Sequence, residues 1–90
     1  MDEETPIPLP IEDTLDLHAF APRDIAAVVA DYLEAACAAG FRDVRLIHGR
    51  GIGVQRRAVH TVLATHPAVE SFWDAPESHL GATVARLKGL

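Results

Sequence analysis

Two short alternating runs flank one long helical stripe in this chain, and no other feature limits its possible folds as much. Ile25, Val28, Val29, Tyr32, Leu33, Ala36 and Cys37 fall at i, i+3, i+4, i+7, i+8, i+11 and i+12, an apolar stripe along one face of an α-helix. Pro22 suits its first turn and Gly40 its C-terminal cap. Before it, "TLDLH" (14–18) alternates Leu15 and Leu17 with Asp16 and His18, the period of a half-buried strand. After it, "VRLI" (44–47) reads as a second strand. Two strands joined through a helix pair in parallel by a right-handed crossover.

The pattern then repeats. Val54, Ala58, Val62 and Leu63 mark a second helix ending near Thr65, before His66-Pro67. "VESFW" (69–73) is a third strand, "DAPESHLG" (74–81) a loop and "ATVARL" (82–87) a fourth strand. The order β-α-β-α-β-β predicts an α/β fold: a two-layer α/β sandwich with a four-stranded mixed sheet and two helices. The first three strands run parallel, and the short last connection implies an antiparallel hairpin. Residues 1–11 form an acidic, Pro-rich N-terminal extension, where Pro6, Pro8 and Pro10 alternate with Ile7, Leu9 and Ile11 and forbid a helix. The domain proper is expected over 12–90.

This topology brings distant residues together. His18 and His48 end two parallel strands, so both reach the sheet edge where open α/β folds bind ligands. The fourth strand runs the other way, so its start, Gly81-Ala82-Thr83, comes to the same edge. Between the second strand and the second helix lies "HGRGIG" (48–53), with three glycines in five positions. Amides there, at a helix N-terminus, favour an anion. A dinucleotide fingerprint would need glycine at 54, which is Val, and a P-loop would end Gly-Lys-Ser/Thr, which is absent. The loop therefore reads as a phosphate cradle of another kind, with Gly49, Arg50, Gly51 and Gly53 lining it and Arg56 and Arg57 reaching further phosphates of a chain. A purely structural glycine turn is the blander alternative.

Charge leaves a polyanionic partner open. The 90 residues carry a net charge of −5, which argues against a phosphate-binding surface taken over the whole chain. Its distribution does not. Residues 1–16 hold six acids and no Lys or Arg, whereas residues 41–66 hold five Arg against one acid, with His48, His60 and His66. Cys37 is the only cysteine, so no internal disulfide forms and a reducing, cytoplasmic setting is expected. No apolar stretch approaches the roughly 20 residues of a membrane span.

"LDLH" (15–18), "HGRG" (48–51) and "GAT" (81–83), in this order and spacing, resemble the small MutS-related (Smr) domain over roughly residues 12–88. The resemblance implies the same β-α-β-α-β-β sandwich, in a family whose members occur standalone or as C-terminal modules. It implies a nucleic-acid-binding endonuclease, some relatives nicking DNA, others cleaving RNA or acting on mRNA and ribosomes. It points to a standalone form here and, for sites, to Asp16 and His18 from the first motif, His48, Gly49, Arg50 and Gly51 from the second, and Thr83 near the last strand. Ala19 stands where many members have Gly, and "ESHLG" replaces a richer glycine run before the last strand.

Phosphodiester cleavage needs proton transfer to and from oxygens and positive charge on the phosphate. His18 suits the first task, with Asp16 orienting or tuning it, and His48 is the second candidate catalytic histidine. Gly49, Arg50, Gly51, Gly53, Arg56, Arg57 and Thr83 are the candidate phosphate contacts. A binding module without catalysis, docking on RNA or a ribosome, is the alternative, and a small-molecule phosphate site ranks third. No cofactor is required; Asp16, His18 and His48 as a metal set rank second to the acid–base reading, and magnesium arriving with the substrate phosphate is compatible with the site. The expected partners are DNA or RNA, with no membrane, and the expected state is a monomer. His60, His66 and His79 are expected on the surface. Phe72 and Trp73 point to opposite sheet faces, one into the core and the other free to stack on a base.

Overall fold

A computed structural model describes residues 11–49, 53–78 and 81–89. Its elements follow the expected order: β1 (Thr14–Asp16), α1 (Ile25–Ala38), β2 (Asp43–Ile47), α2 (Val54–Thr65), β3 (Val69–Asp74) and β4 (Ala82–Leu87). Short 3-10 turns at Pro22–Asp24 and Pro76–Ser78 lead out of the β1 and β3 connections. Pro22 thus starts a 3-10 turn that feeds α1 rather than sitting inside it.

The four strands form one sheet in the order β1-β2-β4-β3. β1 pairs parallel with β2, while β4 is antiparallel to both β2 and β3. The first three strands therefore share a direction, as crossover helices require, and β4 inserts between β2 and β3. Ile47 faces Ala82 and Leu46 faces Thr83 in the β2–β4 ladder. The end of β2 and the start of β4 consequently share one sheet edge.

α1 buries Ile25, Val29, Leu33 and Ala36, the centre of the stripe read from the sequence. It closes in a Schellman motif: the Gly40 N–H donates to Cys37 O and the Phe41 N–H to Ala36 O, both at 3.0 Å. α2 adds Val59 and Leu63, and the sheet contributes Leu17, Val44, Leu46, Ala85 and Leu87 to the same core. Tyr32, Cys37, Phe41 and Phe72 pack partly buried against it. Both helices cover one sheet face, so the other carries Asp43, Arg45, Arg86 and Trp73. Trp73 is 38% exposed, and the Arg86 guanidinium sits 5.3 Å from its ring centroid. Among the described residues no helix is long and apolar enough to cross a membrane.

β1 is shorter than the 14–18 alternation suggested, and chemistry ends it. Leu17 still donates its N–H to Ile47 O at 2.9 Å. One residue later, the His18 N–H donates to Asp16 Oδ1 at 2.9 Å instead of to a strand. A side-chain oxygen two residues back has replaced the ladder with an Asx-type turn.

Candidate functional site

That turn builds the first half of the site. Asp16 Oδ1 lies 2.6 Å from His18 Nδ1 as well as accepting the His18 backbone N–H. These two contacts, the backbone one first, hold the Asp16 carboxyl below the ordinary carboxylate range. A carboxylate only accepts, so Nδ1 carries a proton and donates it. Nε2 is left as the outward-facing nitrogen of the ring. The pair is open to solvent, with side chains 61% and 64% exposed.

Nε2 lies beside Gly49. Gly49 has φ +81°, and a methyl group on its Cα would stand 3.2 Å from His18 Nε2. Glycine is required there twice over, for backbone conformation and for the imidazole's close approach. The Gly49 and His48 N–H groups both donate to Gly81 O, at 2.9 and 3.0 Å, which ties the loop to the start of β4. Gly53, at φ +83° and in the left-handed region, opens α2. Among the described residues none comes within 4 Å of such a methyl group there, so only its conformation calls for glycine.

His48 and Thr83 occupy other places than an exposed catalytic group or phosphate contact would. His48 is 3% exposed and Thr83 0%. His48 Nδ1 donates to Gly49 O at 2.9 Å, and its Nε2 is 2.9 Å from Thr83 Oγ1. Both ring nitrogens thus have partners inside the domain, under the loop. Arg56 is likewise engaged: its Nε and Nη2 donate to Asp74 Oδ1 and Oδ2 at 3.0 and 2.7 Å. That bidentate pair holds the Asp74 carboxyl low and raises the Arg56 guanidinium. Arg57 is exposed on the same helix turn. Arg50, Gly51 and His79 lie outside the described residues.

His60 departs from its expected place on the surface. It is half-buried, its Nε2 3.0 Å from Thr83 Oγ1, its ring edge-on to Phe72 at 5.1 Å between centroids. Burial, then the nearby Arg56, pushes its pKa below the ordinary histidine value. The signal was faint but present: His60 lies one residue from Val59 and three from Leu63, close to the buried side of α2. Among the described residues no three of His, Cys, Asp and Glu are grouped to hold a metal ion. Asp16 and His18 meet at one point, and His48 is withdrawn beneath Gly49 with its nitrogens engaged.

The Smr domain model matches residues 15–88, from the strand bearing the Asp–His pair to the end of the sheet. The chain belongs to the Smr domain family. Solved Smr structures agree with its fold. The Smr domain of Thermus thermophilus MutS2 superposes with a TM-score of 0.79 and 36% identity, covering 83% of this chain and 96% of that one. YdaL, a stand-alone small MutS-related protein from Escherichia coli, gives 0.78 at 25% identity, over 88% of this chain and 66% of its own. Among curated sequences, endonuclease MutS2 of Caldicellulosiruptor bescii and of Brevibacillus brevis are each 39% identical over 80 residues. Those residues are 87% of this Smr chain and 10% of each relative, so it corresponds to about a tenth of the proteins it matches.

Proposed function

We propose that this Smr domain binds DNA or RNA and cleaves its phosphodiester backbone, with His18 as the proton-transfer group. The observation that carries the reading is the 2.6 Å Asp16–His18 contact, which leaves Nε2 beside Gly49. An acceptor on Nδ1 fixes the ring's tautomer and orientation, so a neutral His18 presents a bare Nε2 to a nucleophile. After taking that proton, Nε2–H donates to the leaving oxygen, and the carboxylate of Asp16 stabilises the imidazolium between the two transfers. The phosphate belongs on the cradle side, with Arg50, Gly51, Gly53 and Arg57 as its contacts, since the Gly49 N–H is already engaged by Gly81 O. His48 enters as support for the loop rather than as a second proton donor. Relatives named as endonucleases are consistent with this chemistry.

Burial of His48 favours a second reading. With one of the two candidate catalytic histidines buried, the same surface would serve a module that docks on RNA or a ribosome without cutting. End-labelled RNA and supercoiled plasmid, incubated at low salt with wild type, His18→Ala and Asp16→Asn, separate the two. The nuclease reading expects cleavage by wild type, loss in His18→Ala and a fall of about 10²- to 10⁴-fold in Asp16→Asn, with binding retained by all three. Parallel reactions with magnesium and with EDTA decide whether a divalent ion accompanies the substrate. Equal binding and no cleavage by any of the three leaves the docking module.

A further inference from the structure

Three side chains from three elements meet at one hydroxyl beneath the loop. Thr83 Oγ1 on β4 lies 2.9 Å from His48 Nε2, just past β2, and 3.0 Å from His60 Nε2 on α2. Counting protons gives the chain a direction. The Gly49 carbonyl, 2.9 Å from His48 Nδ1, can only accept, so Nδ1 carries a proton. A neutral imidazole has one N–H, which leaves His48 Nε2 bare and in need of a donor. The Thr83 hydroxyl supplies it, and with its single proton committed it can only accept from His60. A neutral His60 therefore carries its proton on Nε2.

The groups facing His60 support the neutral ring. Burial and Arg56 disfavour its charge, His48 does so more weakly, and Asp74, its Oδ1 3.6 Å away, opposes them without prevailing. Phe72 presents an apolar ring edge. The chain ends at Gly49, where an added methyl group would stand only 3.2 Å from His18 Nε2. The Gly49 N–H is tied to Gly81 and its carbonyl to His48, so both sides of this residue are held.

We propose that Thr83 and His60 are positioning residues for the Asp16–His18 pair, holding the Gly49 backbone against His18 through a one-way hydrogen-bond chain that passes through the His48 ring and ends on the Gly49 carbonyl. Its kinetic consequence rests on the cleavage reading above; its structural content does not. Neither residue touches substrate. His60 fixes the Thr83 hydroxyl, Thr83 fixes the His48 tautomer, and His48 fixes the Gly49 carbonyl.

Long-range nitrogen–proton correlation spectra of the imidazole rings test the direction of the chain at mildly alkaline pH, where free imidazole is neutral. The expected pattern is His48 protonated on Nδ1 alone and His60 on Nε2 alone. A proton on His48 Nε2 or on His60 Nδ1 would overturn the proposal. Thr83→Val removes the hydroxyl and is expected to let the His48 tautomers average and to shift the His18 ring signals, whereas Thr83→Ser restores both. His60→Leu and His60→Gln repeat the comparison at a half-buried site that tolerates change, since a glutamine amide N–H can replace Nε2–H. If wild type cleaves, His60→Leu is expected to lower kcat by roughly 10- to 100-fold with KM unchanged, and His60→Gln to recover most of it. Equal kcat for Leu and Gln, or His18 signals unmoved in both Leu and Thr83→Val, defeats the positioning role while leaving cleavage by His18 intact. If wild type does not cleave, the ring spectra still decide for or against the chain, and only the cleavage reading falls.

Discussion

Gly49→Ala carries two separable penalties, and Gly53→Ala carries only one of them. Both glycines sit at nearly the same positive φ, +81° and +83°. An alanine in that left-handed region costs about 1–2 kcal/mol. For a domain of this size each kcal/mol moves Tm by about 4–8 °C, so either variant should melt roughly 4–16 °C below wild type. The surroundings differ. At Gly53 the new methyl group meets none of the described residues within 4 Å, whereas at Gly49 it stands 3.2 Å from His18 Nε2, a contact that must open by a few tenths of an ångström. The opposite side of the ring is tethered, with Nδ1 at 2.6 Å from Asp16. The imidazole therefore has to tilt about its own anchor, and displacements of that kind cost up to about 100-fold in rate. Differential scanning calorimetry of both variants, paired with plasmid or RNA cleavage and His18 ring spectra, separates the effects. Matching losses of Tm are expected, with the loss of cleavage and the shift of His18 signals confined to Gly49→Ala. Equal cleavage and equal His18 signals in the two variants would mean that the ring does not rest on Gly49. A Gly49→Ala protein as stable as wild type would refute the strain itself.

Two further perturbations probe the scaffold. Asp74→Asn removes the charge and one of the two acceptor oxygens of the bidentate Arg56 pair, whose two side chains are about a third exposed, so solvent screening keeps its cost small near neutral pH. Because the folded-state pKa of Asp74 is depressed, that contribution is complete above the ordinary carboxylate pKa and disappears as pH falls through the folded value. Urea midpoints measured down an acid series should show the gap between wild type and variant closing; a constant gap would contradict the assigned pairing. Leu33→Ala empties a fully buried position at the centre of α1 and should cost about 2–5 kcal/mol, a large share of the roughly 5–15 kcal/mol that holds such a domain folded. A urea midpoint shift worth less than about 1.5 kcal/mol, the low end for burial of one aliphatic side chain, would place Leu33 outside the core.

Local pattern was sufficient for the elements. The stripe from Ile25 to Cys37, the alternation before it and the Gly40 cap all depend on neighbours within one or two turns, and they appear in the fold as Ile25–Ala38 with its Schellman closure. Direction followed from connection length, because a helix crossover returns the chain parallel and a short loop returns it antiparallel. The Asp16–His18 pair was within reach too, since the two residues are close enough in sequence for one turn to join them. Ending β1 at Asp16 instead of His18 was not, because the 14–18 alternation fits a strand equally well. The competition was settled by an aspartate oxygen reaching the His18 N–H.

What this sequence determined alone is therefore the order and type of its elements, the edge at which its motifs converge and the closeness of Asp16 and His18 that allows them to pair. Tertiary structure decided the placing of β4 between β2 and β3, the withdrawal of His48 and Thr83 from solvent, the engagement of Arg56 by Asp74 and the recruitment of His60. The β2–β4 pairing and the His48, Arg56 and His60 contacts each join residues 18 or more positions apart. A histidine has the same letter whether it faces solvent or a buried hydroxyl. Only the packing of α2 on the sheet, driven by Val59 and Leu63 entering the core, brings His60 to Thr83 and Arg56 to Asp74.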